Sequence, residues 1–277
     1  MKVIKTLYFF LQILFLSACS DLFEFSPYDT DIKTHDLNTG ESIRISNKIS
    51  SSTDTLKFAL FSDIHEHYDD FSDVISSINK ENGLQFAVCC GDITNAGLKQ
   101  EYKWYVDISE KSVIPLVTVI GNHDYLSNGH YVYTRLFGPS KTSFIAGKYK
   151  FILFDNIIWE KNNQMPDYQW LSGELSDTGY YNVMVTHIPP FSEEMNGAFN
   201  LAYIETVDSD NTILCLHGHL HRFIETTFNG IPTVVSANIQ KREYCIIELI
   251  GDKSIIKRIN FLSFAICHII CYMSYYL

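Results

Sequence analysis

The sequence has no dense cluster of lysine and arginine. It carries 21 Lys and Arg residues against 32 Asp and Glu residues, which gives a formal net charge of −11 at pH 7. Long nucleic acids are bound through clustered cationic side chains that neutralise the phosphates. We therefore expect no nucleic-acid partner. The acidic balance favours a small or locally bound substrate without choosing among such substrates.

A disulfide framework is also missing. Beyond Cys19, the cysteines show no paired spacing, and they stand at Cys89, Cys90, Cys215, Cys245, Cys267 and Cys271. The first four fall within segments that are predicted below to be strands, so we expect buried free thiols. None is predicted to be a nucleophile or a zinc ligand. The sequence has no internal repeat, and its length of 277 residues suits one large domain.

The first residues resemble a bacterial lipoprotein signal. Lys2 and Lys5 precede the apolar stretch Leu7–Leu16, and small residues then lead to Cys19. The apolar stretch is shorter than the ~20 residues of a transmembrane helix. The resemblance implies that residues 1–18 are a cleaved signal peptide and that Cys19 carries lipid. The protein would then be anchored to a membrane of the bacterial cell envelope, facing the periplasm or the exterior. An ordinary signal peptide is the alternative.

The segments at either end of the central region differ from it in composition. Residues 19–55 are rich in Ser, Thr and Asp and predict a polar tether with an edge strand at Ser42–Ser46. We expect the folded domain to cover residues 56–261. The last segment, 262–277, is apolar and uncharged, yet too short for a ~30 Å hydrocarbon core. A packed terminal helix or a membrane-surface segment is favoured over a span, and an abnormal read-through tail is a further alternative.

Five apolar runs each lead directly into a polar cluster. The runs are Lys57–Ser62, Gln85–Cys90, Pro115–Ile120, Asn182–Thr186 and Thr212–Leu216. Short runs rich in β-branched and aromatic residues predict buried strands. Further strands are predicted at Lys150–Asp155, Pro232–Ala237, Tyr244–Leu249 and Ser254–Ile259, and helices at Asp69–Asn82, Leu98–Ser112 and Asp167–Ser176. This alternation indicates an α/β protein, in which ligands gather beyond the carboxyl ends of the strands.

The polar clusters contain the residue types of a two-metal hydrolase site. In chain order they are Asp63-Ile64-His65, Gly91-Asp92, Gly121-Asn122-His123-Asp124, Thr186-His187 and Gly218-His219-Leu220-His221. Mixed imidazole and oxygen donors suit Mn, Fe or Zn better than Ca²⁺. Two such ions about 3.5–4 Å apart can activate water, neutralise phosphoryl charge and stabilise the leaving oxygen. The clusters therefore predict hydrolysis of a phosphoester.

The order D-x-H, G-D, G-N-H-D, H and G-H-x-H resembles the calcineurin-like metallophosphoesterase superfamily. The resemblance extends from Phe58 to about Ile247. The ligands that it implies are Asp63, His65 and His221 for a first metal ion, Asn122, His187 and His219 for a second, and Asp92 as the bridge between them. It further implies that His123 is a proton donor or transition-state stabiliser, and that Asp124 orients the His123 ring.

The resemblance also implies a fold and an activity. The implied fold is a four-layer αββα sandwich of two mixed sheets flanked by helices. The implied activity is hydrolysis of a small phosphorylated substrate by hydroxide bound to the dinuclear centre, without a covalent enzyme intermediate. Two alternatives stay open: a phosphodiesterase acting on cyclic nucleotides or other diesters, and a catalytically silent lipid-anchored binding protein.

Substrate specificity would come from loops around the metals. The predicted loops are Tyr68–Asp73, Tyr125–Ser140 and Phe191–Asn200. Four side chains beside the motifs could also touch the substrate, namely His67, Asn95, Tyr125 and Arg222. The sequence does not identify the substrate.

Overall fold

A computed structural model describes residue 26, residues 28–207 and residues 210–261. The predicted signal peptide, Cys19 and the segment 262–277 lie outside the described residues, so the lipid anchor and the envelope location stay predictions. In the described part of the chain, no helix is both long enough and apolar enough to cross a membrane.

Helices and strands alternate through most of the described chain. The α-helices are α1 (Leu37–Lys48), α2 (Tyr68–Ile78), α3 (Lys99–Ser109), α4 (Gly129–Phe137), α5 (Tyr168–Leu175) and α6 (Ala198–Val207). The strands are β1 (Thr55–Phe61), β2 (Phe86–Cys89), β3 (Leu116–Thr118), β4 (Thr142–Ala146), β5 (Tyr149–Leu153), β6 (Tyr181–Val185), β7 (Thr212–His217), β8 (Ile224–Phe228), β9 (Ile231–Val235), β10 (Glu243–Ile250) and β11 (Lys253–Asn260).

The strands form two mixed sheets. The first has the order β11-β10-β1-β2-β3, and the second has the order β4-β5-β6-β7-β9-β8. Strands β1, β2 and β3 run parallel, whereas β10 is antiparallel to β1 and to β11. In the second sheet β5, β6, β7 and β9 run parallel, and the outer strands β4 and β8 are antiparallel to their neighbours.

Alternate residues of each strand face different layers, because successive side chains of a strand point to opposite faces. In β1, Phe58 packs between the two sheets and Phe61 packs with the helices. The Phe58 ring stacks on Phe86 of β2 at 5.1 Å, and Phe151 from the second sheet meets it edge-on at 5.3 Å. The arrangement is a sandwich of two sheets with helices outside, which confirms the fold predicted from the sequence.

The predicted edge strand Ser42–Ser46 is wrong, because these residues lie in helix α1. The alternation of Ile43 and Ile45 imitates a strand, but the buried face consists of Asn38, Ser42, Ile45 and Ile49. Those positions are spaced by four, three and four residues, the period of a helix. Two of them are polar, and the hydrophobic pattern alone therefore missed the helix.

Helix α1 packs against the outer strands of both sheets, β3 and β4. The Asn38 amide donates to the Thr118 carbonyl at 2.7 Å and accepts from the Thr118 N–H at 2.9 Å. Ser46 donates to the carbonyl of Ile145 in β4 at 2.7 Å. The part of the segment 19–55 that forms α1 therefore belongs to the folded domain and not to a tether, and the domain begins before residue 56.

All three predicted loops contain helical residues, and Tyr68–Asp73 lies entirely within α2. Within Tyr125–Ser140 the chain forms a 3-10 helix followed by α4, and Phe191–Asn200 contains another 3-10 helix and the start of α6. The predicted free thiols are confirmed for the four described cysteines, all of which are buried and unpaired: Cys89, Cys90, Cys215 and Cys245. Burial raises the pKa of each of these thiols, which makes a nucleophilic role unfavourable.

Candidate metal centre

The polar clusters come together at the carboxyl ends of five parallel strands. Asp63 and His65 follow β1, Asp92 follows β2, and the Asn122 cluster follows β3. His187 follows β6 and the pair His219 and His221 follows β7, so the second sheet contributes from the facing side. The carboxyl ends of parallel strands share one edge of a sheet, and this topology brings residues that are far apart in sequence into one site.

A first group consists of Asp63, His65, Asp92 and His221. One potential ligand atom from each lies within 4.8 Å of all the others. The Nε2 atoms of His65 and His221 are 3.1 Å apart. His221 Nε2 also lies 3.5 Å from an oxygen of Asp63, and His65 Nε2 lies 3.7 Å from an oxygen of Asp92. The structure thus brings together the residues that the resemblance assigned to the first metal ion.

A second group consists of Asn122, His187 and His219, and it contacts Asp92 as well. The Asn122 Oδ1 atom is 3.1 Å from His187 Nε2 and 3.1 Å from His219 Nδ1. The same His187 nitrogen lies 3.1 Å from Asp92 Oδ2. Asp92 therefore touches both groups, which is the position that a bridging carboxylate requires.

Five of these seven side chains stand on backbone in the left-handed region, at φ values of 50–73° that mostly belong to glycine. Their φ angles are 56° for Asp63, 50° for His65, 51° for Asp92, 73° for His219 and 54° for His221. Non-glycine residues in this region are uncommon and concentrate at functional sites, where surrounding structure holds them. These backbone conformations occur in the turns after β1, β2 and β7, and they direct the five side chains toward the centre.

Gly121 permits the close approach of β2 and β3 at the centre. A Cβ atom at this position would lie 2.2 Å from both the backbone N and the Oδ1 of Asp92. Gly91, whose φ is 89°, lies against Gly121. A Cβ atom at Gly91 would be only 2.8 Å from the backbone N of Gly121. Side chains at these positions would push Asp92 out of the place between the two groups.

The electrostatic field around Asp92 and His187 favours positive charge. Burial alone would lower the pKa of His187, but the Asp92 carboxylate outweighs it and raises the pKa to about 10. Burial likewise works to raise the pKa of Asp92, and His187 and the other imidazoles hold it below its ordinary value. Burial raises the pKa of Asp63 and lowers that of His65 to about 4. Buried carboxylates that stabilise a cation in this way suit a metal site.

His123 lies beside the first group without joining it. Its ring sits edge-on to His65 with 4.5 Å between the centroids, and its backbone N–H donates to Asp92 Oδ1 at 2.9 Å. The ring Nδ1 is 2.7 Å from the carbonyl oxygen of Asn95, which can only accept. Nδ1 therefore carries hydrogen, and Nε2 is the nitrogen left for a substrate.

The predicted role of Asp124 is wrong, since its carboxylate makes no hydrogen bond to the His123 ring, whose Nδ1 is hydrogen-bonded to the Asn95 carbonyl. Asp124 is fully buried and accepts from Gly121 N at 2.8 Å, from Thr94 N at 2.9 Å and from Thr94 Oγ1 at 2.8 Å. Burial and then the neighbouring Asp92 raise the pKa of Asp124 to about 7. Asp124 ties the loop after β2 to the loop after β3, and the Asn95 carbonyl takes the orienting role.

A profile of the family described as calcineurin-like phosphoesterase matches residues 56–223, more than half of the chain. The chain belongs to this family. It is a family of hydrolases acting on phosphoester bonds. A comparison with curated protein sequences finds no match.

Solved structures share the fold of this chain. A purple acid phosphatase from yellow lupin (Lupinus luteus) seeds aligns with a TM-score of 0.61 at 11% identity, covering 76% of this chain and 52% of that one. The chain thus spans about half the length of the lupin enzyme. GAP50, the anchor in the inner membrane complex of Plasmodium, aligns with a TM-score of 0.57 at 14% identity, covering 75% and 85%. A putative 5'-nucleotidase from Staphylococcus aureus aligns with a TM-score of 0.51 at 14% identity, covering 76% and 54%.

The donor set of this centre fits a pair of metal ions. Carboxylate, amide and imidazole donors converge. Among the described residues, three acidic side chains at the centre form ion pairs only with histidines: Asp63, Asp92 and Glu194. The side chains of Asp63 and His187 are fully buried, whereas that of His221 is 46% exposed to solvent. A substrate would enter from the His221 side.

Two acidic residues at the centre were missed by the sequence analysis. Glu160 accepts from the Asn122 amide at 3.1 Å, and Glu194 Oε1 lies 3.2 Å from His219 Nε2. Both stand in short 3-10 helices, Trp159–Lys161 and Glu193–Met195, within connections between strands and helices. Neither belongs to one of the five polar clusters. Glu194 lies within the predicted loop Phe191–Asn200, and only its position after β5 could have drawn attention to Glu160.

The remaining candidates for substrate contact are less well placed. The Tyr125 hydroxyl donates to Asp155 at 2.7 Å, and its ring stacks on His130 at 5.2 Å. Asn95 contributes its backbone carbonyl to His123, and His67 directly precedes α2. The structure therefore gives Tyr125 a packing role and leaves contacts of His67 and Arg222 with substrate as predictions.

Proposed function

We propose that this protein hydrolyses a phosphoester of a small molecule at a dinuclear metal centre. The observation that carries the proposal is the position of Asp92, which touches His65 of the first group and His187 of the second. One shared carboxylate between two sets of imidazole and oxygen donors is the arrangement that a pair of ions needs. Mn, Fe or Zn suits these donors.

The residues of the chain divide into those that hold the ions and those that act on the substrate. Asp63, His65 and His221 would hold one ion, while Asn122, His187 and His219 would hold the other, with Asp92 between them. When bound, the pair would lower the pKa of a bound water toward neutrality, which makes it a nucleophile, and would offset the negative charge of the phosphoryl group.

His123 would donate a proton to the leaving oxygen. The Asn95 carbonyl accepts from Nδ1, so the ring is oriented with Nε2 free to hold and transfer that proton. The backbone N–H of His123, and not its ring, contacts Asp92. Proton transfer by the ring is therefore separate from support of the bridging carboxylate.

We also infer that the chain is lipid-anchored through Cys19 in a bacterial cell envelope. The support is the basic start, the short apolar stretch and the small residues before Cys19 in the sequence. An anchored enzyme of this kind would act on phosphoesters outside the cytoplasm.

The experiment that tests the proposed function combines metal analysis with turnover. The full chain, purified in detergent and stripped of metal, is reloaded with Mn²⁺, Fe²⁺ or Zn²⁺ separately and assayed against phosphomonoesters, cyclic nucleotides and other phosphodiesters. We expect two ions per chain and faster turnover of monoesters than of diesters. Preference for diesters would favour the phosphodiesterase alternative. Two bound ions without any turnover would favour a silent binding protein, and absence of metal binding would contradict the proposal.

A further inference from the structure

We propose that Glu160 and Glu194 are positioning residues that fix two ligands of the second subsite, which consists of Asn122, His187, His219 and the shared Asp92. The proposal rests on the dinuclear function proposed above. The two glutamates lie on the connections after β5 and β6. The ligands of the second subsite would then be held by carboxylates that the first subsite lacks.

Glu194 lies behind the His219 ring. Its side chain is only 5% exposed, and its Oε1 is 3.2 Å from His219 Nε2. A carboxylate at that distance favours hydrogen on Nε2, which leaves the Nδ1 lone pair for an ion bound between Nδ1 and Asn122 Oδ1, two atoms that are 3.1 Å apart. Imidazoles that bind a metal through one nitrogen almost always donate from the other, and a carboxylate partner fixes the ring and its tautomer. Glu194 thus determines which nitrogen of His219 is presented as a ligand.

Glu160 acts on the other end of the same subsite. Its Oε1 accepts from Asn122 Nδ2 at 3.1 Å, so Asn122 Oδ1 points toward His187 and His219. An amide turned by 180° would present an NH₂ group, which has no lone pair to give to a cation. Because a carboxylate accepts and cannot donate, Glu160 favours the one orientation in which Asn122 can be a ligand.

Each glutamate also has a second oxygen that the protein does not satisfy. Glu160 Oε2 and Glu194 Oε2 are both buried and have no hydrogen-bond partner among the residues that the structure describes. Buried charged oxygens are costly unless paired. A cation at the second subsite would supply the compensating positive charge, which gives these carboxylates a reason to be buried there.

The first subsite has weaker support of this kind. His65 Nδ1 has no hydrogen-bond partner within the described residues, and the His221 side chain is 46% exposed. Removing the glutamate charges should therefore lower the metal affinity of the second subsite and leave that of the first subsite unchanged. Loss of an orienting partner of this kind typically weakens metal affinity about 10–100-fold.

The test is a Mn²⁺ titration of metal-free full chain in detergent, followed by calorimetry and electron paramagnetic resonance. Glu194→Gln and Glu160→Gln keep the side-chain shape and remove the charge. Glu193→Gln is the matched control, because Glu193 is exposed and neighbours Glu194. Asn122→Ala and His221→Ala provide reference spectra for loss of the second and of the first subsite.

We expect each glutamate variant to bind one Mn²⁺ as wild type does and the other about 10–100-fold more weakly, with a residual spectrum like that of Asn122→Ala. The control should bind two ions with wild-type affinities. Wild-type affinities in Glu194→Gln and Glu160→Gln, or a residual spectrum like that of His221→Ala, would overturn the proposal. Because the glutamates lie on separate connections, failure of one variant to fold leaves the other as an independent test. A wild-type chain that binds fewer than two ions would contradict the proposed function itself.

Discussion

Replacing His123 with alanine separates proton transfer from metal binding in this centre. The substitution removes the ring and its contact with the Asn95 carbonyl. It keeps the backbone N–H that donates to Asp92 Oδ1 at 2.9 Å. Because the ring has no bond to the bridging carboxylate, both ions should remain bound in the variant.

The expected size of the effect follows from the role of the ring. A positioned general acid contributes on the order of 10²–10⁴ to kcat, which corresponds to about 2.7–5.4 kcal/mol of transition-state stabilisation at ~1.36 kcal/mol per factor of ten. The loss should be largest for alkyl phosphates, whose leaving oxygen needs a proton. It should shrink for aryl phosphates, whose leaving groups are stable as anions.

The assay compares kcat for one alkyl and one aryl phosphate in wild type, His123→Ala and His35→Ala, with metal content measured for each protein. His35 is exposed and its structural contact is a backbone hydrogen bond to Arg135, so its removal controls for loss of an imidazole in general. Equal losses of kcat for both leaving groups would refute proton donation and point to electrostatic stabilisation alone. A fall in metal content would make His123 a ligand.

Four further outcomes are expected. Asp92→Asn should abolish turnover and lower metal content measured by elemental analysis, because a neutral amide cannot offset two cations; wild-type rates with two ions bound would argue against the bridge. Gly121→Ala should cost about 1–3 kcal/mol in urea unfolding and weaken metal binding, since its Cβ would stand 2.2 Å from Asp92. Phe86→Ala should cost about 3–5 kcal/mol because its fully buried ring joins both sheets, while a metal-loaded, folded variant should keep its kcat. Cys19→Ser should release active enzyme from membrane fractions; continued attachment would point to the 262–277 segment.

The polar clusters could be located because each follows a short apolar run, and the resemblance then implied which of their residues are ligands. Strand ends are visible in the sequence, and the parallel order of β1, β2 and β3 converts neighbouring strand ends into neighbouring side chains. Asp92 and His187 are 95 residues apart in sequence and follow strands of different sheets, and the packing of the two sheets brings them within 3.1 Å. The local pattern therefore located the clusters, whereas the pairing of the two sheets at the centre was implied only by the resemblance.

The support around the ligands could not be predicted in this way. Asp124 is adjacent to His123 in sequence, but both begin a 3-10 helix, where consecutive side chains point about 120° apart. Its partner Thr94 is brought in from the loop after β2. Glu160 and Glu194 reach their ligands across comparable distances along the chain. Contacts of this kind depend on how the connections fold over the strand ends, and no local spacing encodes them.

Helix α1 has a consequence for solubility. Its side chains Asn38 and Ser46 bond to backbone groups of the outermost strands β3 and β4. Outer strands with unpaired N–H and C=O groups are templates for pairing with strands of other molecules. A chain shortened to residue 56 would uncover such groups on both sheets at once and expose the apolar layer under Ile45. Self-association through these uncovered borders, and not loss of the catalytic residues, would then be the first failure of the shortened protein.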